Sequence, residues 1–414
     1  MVELDDRDRA FLDGEAGDGA ALAMRLVVQL AEVARAPRLR SVTRAHIDSC
    51  LYHGQAGLDF AERLLAGGAT VTVPSTLNVS SLDLLHPELV RLDDETRERA
   101  KRQMDAYVSM GCRPTWTCAP YQLADRPAFG EHVAWAESNA IVFANSVLGA
   151  RTNRYGDFID ICAAVTGRVP DHGLHTDAGR LATIVVRLGD VPDALLDDEL
   201  FFPVLGHLLG RRAGTEVAAI EGLPSGTSEG RLKAIGAAAA SSGSVALFHA
   251  IGVTPEAPSL DAVAGDRMRE EVITRADLRA ARDELSRVPV GAEIGAVSVG
   301  TPHASEEQLR RLAGLVADAR PRVPFYVNTG RAQLDGIGSV ADDLTDAGIA
   351  IVTDTCTYIT PILREVRGPV MTDSGKWAWY APSNIGFEVA LGSLEDCVRS
   401  AATGRVVRDD TRWG

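Results

Sequence analysis

The residues with the types and spacing to do chemistry fall into a few groups. Six cysteines, Cys50, Cys112, Cys118, Cys162, Cys356 and Cys397, are spread along the 414 residues. With no signal-peptide pattern they are expected to be reduced thiols, each a small buried hydrophobe or a ligand. Cys112 and Cys118 lie six apart in MGCRPTWTCAPY (110–121), which is no zinc knuckle because it lacks a paired CxxC and a following HxxxH. Cys118 stands between Thr117 and the rigid Ala119-Pro120, Cys356 follows a strand-like run, and Cys397 lies on the helical LEDCVR. Distant thiols gathered by folding suit iron or an iron–sulfur cluster, because iron favours thiolate and can keep a position open for substrate. Cys162, on an apolar helix face, is read as core.

A second group puts short hydrogen-bonding side chains into apolar surroundings. WAESNA (135–140) and FANSVLGARTN (143–153) carry Glu137, Ser138, Asn139, Asn145 and Ser146. Such groups are costly to bury unpartnered, so they either cap helix ends or line a polar pocket. Arg151 follows as a candidate carboxylate or phosphate clamp, its fork matching both. AHID (45–48) pairs His46 with Asp48, and PSTLN (74–78), read as a polar turn, offers Ser75, Thr76 and Asn78. The chain has three lysines, Lys101, Lys233 and Lys376, among 42 Lys and Arg. A lysine kept against that bias marks a position where a guanidinium will not serve, and Lys376, between Gly375 and Trp377, is the candidate. Lys101 is read as a surface residue. No phosphate loop, GxSxG or HExxH is present.

These residues need elements to hold them. Hydrophobic residues at 46% and charged residues at 24% describe a globular chain, and the length calls for two or three compact units. No apolar run reaches the roughly 18 to 20 residues of a membrane span, so a cytoplasmic protein is expected. A net charge of −15 gives a nucleic-acid backbone no broad cationic surface to meet. Helical periodicity covers 20–33, 93–110, 131–148 and 158–165, with a short strand at 69–73. The second half alternates strands at 183–186, 217–220, 245–248, 294–299, 324–327 and 349–352 with helices, including 306–318 opened by the capping box Ser305 to Gln308. That alternation means parallel sheets covered by helices, with ligands at the carboxyl ends of the strands. Those ends read GTPHAS (300–305), NTGR (328–331), TDTC (353–356) and TDSGKW (372–377). Approximate domains are 1–125, 126–290 and 291–414.

Taken together, GE (14–15), AHID, VPSTLN, PTWTCAPY, ESNA, NSVLGARTN, FHAIGVTPEA (248–257), PHAS, TDTC and TDSGKW resemble the large chain of aconitase X, a branch of the iron-dependent hydro-lyases of the aconitase superfamily. Ser75 stands where the family commonly has Thr, and Ser49-Cys50 where it reads Gly after HID. The resemblance implies an aconitase-like three-layer α/β/α body of closely packed domains with mainly parallel sheets. It implies iron, mononuclear or in an iron–sulfur cluster, on Cys118, Cys356 and Cys397. It also implies a small swivelling domain that supplies a catalytic Ser. The chain stops at Gly414 without that domain, so a separate small subunit is the expected partner.

The implied activity is dehydration of a small hydroxy acid, cis-3-hydroxy-L-proline by preference and mevalonate 5-phosphate as the alternative. Elimination of water needs a base, an acid or Lewis acid for the leaving hydroxide, and charge stabilisation beside the carboxylate. Lys376, Arg151, Glu137 and His46 are the catalytic candidates. Ser75, Thr76, Asn78, Ser138, Asn139, Asn145 and Ser146 are the candidates for holding substrate. A noncatalytic iron–sulfur or regulatory protein, or a zinc or redox protein using the same thiols, are the competing readings.

Overall fold

The computed structural model describes residues 2–414. The chain divides into two compact units, one running to Leu82 and again over Leu92–Leu181, the other comprising Asp83–Arg91 and Ala182–Gly414.

The first unit is organised on a three-stranded parallel sheet in which Ala45–Ile47 lies between Ser75–Leu77 and Ala134–Trp135. Two expectations change here. PSTLN is not a turn: Ser75, Thr76 and Leu77 pair with Ala45, His46 and Ile47, and Pro74, which has no N–H to leave unpaired, opens the strand. Residues 69–73 are not a strand, because their N–H groups are used elsewhere, Val71 bonding to Met110 O and Thr72 to Ala164 O. The continuous helix expected over 131–148 breaks into the strand Ala134–Trp135, the helix Ser138–Val142 and a π-turn over Phe143–Val147. Glu137 is the N-cap that starts the helix. Asn145, within the π-turn, bonds both ways with the backbone of Thr152.

Because Ala134–Trp135 completes this sheet, the first unit runs past the boundary expected near residue 125 and ends at Leu181. Helices Asp18–Val33, Asp94–Ser109 and Ile159–Thr166 fall where periodicity put them.

The second unit holds two all-parallel sheets. One has the order Phe248–Ala250, Ala218–Glu221, Ala182–Leu188, Ala264–Ile273, and the other Ile349–Val352, Phe325–Thr329, Ala296–Ala304, Val370–Thr372, Val389–Leu391. Ala296–Ala304, central in the five-stranded sheet, is buried at every position, as a strand covered on both faces must be. The helix Glu306–Ala317 begins with the expected capping box and buries Leu309, Leu312 and Val316 at helical spacing. Each such side chain contributes about 1.5–3 kcal/mol of burial.

The end of the central strand is shaped by Gly300. Its φ is +79°, and a Cβ there would meet Asn328 O at 2.4 Å. Pairing with Phe325–Thr329 slips between Val299 and Ala304, so the backbone bulges and Thr301, Pro302 and His303 are re-aimed. No helix of the described residues is long and apolar enough to cross a membrane.

Candidate active site

Each unit gathers polar chemistry at the carboxyl ends of its parallel strands, where α/β folds bind ligands. In the first unit Asp48 and Asn78 follow their strands directly, and Glu137 comes two residues after the third strand ends at Trp135. Asn78 Nδ2 donates to Asp48 Oδ1. Burial, with Glu137, Asp157 and Asp160 adding repulsion, pushes the Asp48 carboxyl up to about 8, against the pull of Asn78. Asp48 keeps partial exposure.

Asp160 supports the turn from below. It accepts from Asp48 N at 2.7 Å, Ser49 N at 2.9 Å and Ser49 Oγ at 2.8 Å, and Tyr107 donates to Ser49 Oγ at 2.8 Å. The hydroxyl that departs from the family pattern at Ser49 is therefore bonded on both sides.

Glu137 and Asn139 hold the Cys118 loop. Asn139 Nδ2 donates to Cys118 O at 2.8 Å, and Tyr121 OH donates to Asn139 Oδ1 at 2.5 Å. Glu137 Oε2 accepts from Ala140 N at 2.8 Å and from Asn139, while Ser138 Oγ donates to Glu137 Oε1 at 3.3 Å. Tyr121 stacks on Phe143 at 3.8 Å, closing the loop against the π-turn. Cys118 itself is buried.

The other candidates of the first unit have partners of their own. His46 is wholly buried, bonded through Nδ1 to Thr76 Oγ1 at 2.8 Å, and burial drives its pKa down to about 3, so the ring stays neutral. Ser75 begins its strand, at the end away from Asp48, and donates to Val73 O at 2.9 Å. Asn145 is bonded to Arg180 at 2.9 Å as well as to Thr152. Ser146 is buried in the π-turn. Arg151 forms an ion pair with Asp177 at 2.5 Å and donates to His175 O at 3.3 Å, commitments that compete with a substrate carboxylate.

In the second unit the bulged strand end brings His303 to the TDTC turn. His303 Nε2 bonds to Thr355 O at 3.2 Å. A carbonyl only accepts, so Nε2 carries the proton and Nδ1 is left with a lone pair. A ring nitrogen of His303 and Cys356 Sγ lie within 4.8 Å of each other, both residues buried. Burial, with Lys233 and Lys376 nearby, lowers the His303 pKa to about 4. A neutral imidazole beside a thiol is a donor pair suited to iron or zinc.

The turn carrying Cys356 is pinned from several sides. Asp354, at φ +59°, takes a two-pronged ion pair from Arg331 at 2.6 and 2.5 Å and a bond from Leu84 N at 3.0 Å. Asp83 accepts from Thr353 N at 2.8 Å and Thr353 Oγ1 at 3.0 Å. Thr357 bonds to Ser298 at 2.7 Å, to Asn328 Oδ1 through its N–H at 3.0 Å and to Trp377 Nε1 at 3.0 Å.

Cys397, expected as the third thiolate, packs instead in the apolar core with Val297, Met371, Ala390 and Val398, and burial raises its pKa well above 9. Lys376 lines a cleft with Lys233, Thr301 and Asp373. Sequence reasoning passed over Asp48, His303 and Lys233. The signals were present: AHID and PHAS both stand out as motifs, and the scarcity of lysine marks Lys233 as much as Lys376.

A parallel α/β chain that sets a buried imidazole and thiol at one set of strand ends and a perturbed carboxyl at another has the form of a metal-dependent enzyme. The family models for the first, second and third domains of aconitase X match residues 1–178, 182–283 and 294–403, and the chain belongs to the aconitase X family. It is 42% identical over 412 residues to the cis-3-hydroxy-L-proline dehydratase of Pseudomonas aeruginosa, covering 97% of this chain and 70% of that one. It is 35% identical over 411 residues to the phosphomevalonate dehydratase large subunit of Methanothermobacter thermautotrophicus, covering 96% and 98%. The crystal structure of Thermococcus kodakaraensis aconitase X in its holo-form superposes with a TM-score of 0.86 at 30% identity, over 97% of this chain and all of the other.

Proposed function

We propose that the chain is the iron-binding region of a hydro-lyase that removes water from cis-3-hydroxy-L-proline. The observation that carries this reading is the His303–Cys356 donor pair at strand ends of a chain 42% identical to a dehydratase of that amino acid. Cys118, His303 and Cys356 are proposed as the ligands, with Cys397 left to the core. The donor chemistry fits: thiolates and a neutral imidazole whose outer nitrogen is bonded to a backbone carbonyl are what iron takes. Iron bound by them supplies a Lewis acid for the departing hydroxyl.

The rest is work for the chain's own groups. Removing the proton beside the carboxylate calls for a base, and Asp48, partly exposed at a strand end with its carboxyl raised toward neutrality, is the group proposed for it. Lys376 stabilises the negative charge that grows on the substrate carboxylate as the proton leaves. Glu137 and Asn139 keep the Cys118 loop in position. A small subunit is the proposed partner, supported by relatives that bear the name large subunit.

The test is anaerobic iron loading, then turnover of cis-3-hydroxy-L-proline and of mevalonate 5-phosphate, with and without a small subunit. Dehydration of the amino acid is expected. Turnover of mevalonate 5-phosphate alone would favour the second reading, supported by relatives matched over 98% of their length. Turnover of neither in any combination would refute the proposal.

A further inference from the structure

Four polar side chains alternate along two neighbouring parallel strands of the first unit. His46 and Thr76 are register partners, and Asp48 and Asn78 stand two residues beyond them, where Asn78 N still bonds to Ile47 O. Side chains two apart on extended chain share a face, so the four stand on one side of the sheet. The cross-strand contacts agree: His46 Nδ1 meets Thr76 Oγ1 at 2.8 Å, and Asn78 Nδ2 donates to Asp48 Oδ1. On the other side of His46 its register partner is Trp135, whose ring lies 5.9 Å from the imidazole between centroids.

The two contacts leave one atom of each inner residue unmatched. His46 Nε2 and Asn78 Oδ1 are buried without a hydrogen-bond partner, on residues 0% and 2% exposed. Their chemistry is complementary. The Thr76 hydroxyl has one proton and two acceptors in reach, His46 Nδ1 at 2.8 Å and Ala45 O at 3.4 Å. The shorter contact takes the proton, so Nδ1 accepts and the proton of the neutral imidazole sits on Nε2. Asn78, with its Nδ2 given to Asp48, turns its oxygen the other way. Burial lowers the His46 pKa to about 3, while the Asn78 side chain and then the Thr117 backbone, accepting from the ring, act against it, which places the amide oxygen on the imidazole side. A donor and an acceptor that are each costly to bury alone face each other.

We propose that His46 is a positioning residue for Asp48, acting through the side chain of Asn78. An amide presents either end to a carboxyl with nearly the same shape, and its neighbours decide which. With Nε2–H of His46 holding Oδ1, the Nδ2 end faces Asp48, and a donor aimed at a carboxyl favours its ionised form. Reversed, the amide oxygen would accept from the protonated carboxyl and favour that form instead. The series from Thr76 through His46 and Asn78 therefore works against the burial and the charges of Glu137, Asp157 and Asp160 that raise Asp48. No proton passes along it. That Asp48 then takes a proton from substrate rests on the hydro-lyase reading. The orientation of Asn78 does not.

The test is a titration of Asp48 in the full, iron-loaded chain by infrared difference spectroscopy between pH 4 and 10, its carboxyl band identified by loss in Asp48→Asn. His46→Phe keeps a ring without the N–H and should raise the midpoint so that the Asp48 carboxylate present at neutral pH falls about tenfold. His46→Gln, which restores an N–H donor, should stay within about twofold of the parent chain. Asn78→Leu should raise the midpoint as His46→Phe does, and adding His46→Phe to it should change nothing further, because residues that act in series are not additive. Circular dichroism controls for folding. If His46→Phe does not fold, Thr76→Val keeps the shape, removes the proton that fixes the tautomer, and should shift the midpoint the same way by about threefold. A midpoint unmoved in His46→Phe, or in Thr76→Val where that variant stands in for it, would overturn the proposal. So would a His46→Phe shift that persists undiminished with Asn78→Leu, the mark of a merely structural role. The predicted shifts without turnover of cis-3-hydroxy-L-proline by the parent chain and a small subunit would leave the positioning role standing and remove the assignment of Asp48 as base.

Discussion

Asp48→Asn separates what a neutral from what an ionised group does at this position. The folded state raises the Asp48 pKa from 3.8 to about 8, burial being the main cause. An acid whose folded pKa lies above its unfolded one gives a contribution that is complete below pH 4 and is lost as pH rises through 8. Each tenfold change in proton affinity is worth about 1.4 kcal/mol, and with the partial exposure of Asp48 the loss across that window comes to roughly 2–5 kcal/mol. Asparagine mimics the neutral carboxyl and keeps the Oδ1 that accepts from Asn78. Urea unfolding at pH 4 should therefore find the two proteins nearly equal, and at pH 9 the variant should be more stable by that amount. If Asp48 also moves the proton, the stabilised variant should lose dehydration at every pH. Stability curves that run parallel from pH 4 to 9 would show that folding does not raise the Asp48 pKa and would refute the reasoning from its burial.

Three other outcomes follow from the geometry. Asn139→Ala removes the bonds to Cys118 O and Tyr121 OH, and should cost about 1–3 kcal/mol in urea unfolding and lower bound iron. Cys397→Ala should retain full iron while losing about 1–2 kcal/mol of stability from the core, whereas Cys356→Ser should bind little iron, both read by metal analysis after anaerobic loading. Asp83→Ala strips the acceptor from Thr353 N and Oγ1, and should destabilise by about 2–4 kcal/mol, with Asp83→Asn losing less because one acceptor oxygen remains.

Much of the second unit was legible because its signals are local. Helix 306–317 announces itself by a capping box and a three-to-four spacing of leucines, and Ile349–Val352 is a short β-branched run closed by turn residues. The first unit was harder. Ser75–Leu77 carries no strand pattern of its own and is a strand only because Ala45–Ile47 offers it backbone partners. The stretch 131–148 has helical periodicity, but pairing of Ala134–Trp135 with a strand some ninety residues earlier overrides it.

The sequence by itself determined the class of fold, the family resemblance, the candidacy of Cys118 and Cys356, and the special status of Lys376, because composition, motif and scarcity are properties of the string. The tertiary structure alone decided that His303 adjoins Cys356, that Cys397 belongs to the core, that Arg151 is engaged with Asp177, and that Lys233 shares a cleft with Lys376. Which donors meet depends on a bulge at Gly300 and on the order of strands in a sheet. Which carboxyl is protonated near neutral pH depends on burial and on the charges of Glu137, Asp157 and Asp160 around Asp48. These are sums over residues far apart in the chain, so no window of sequence contains them.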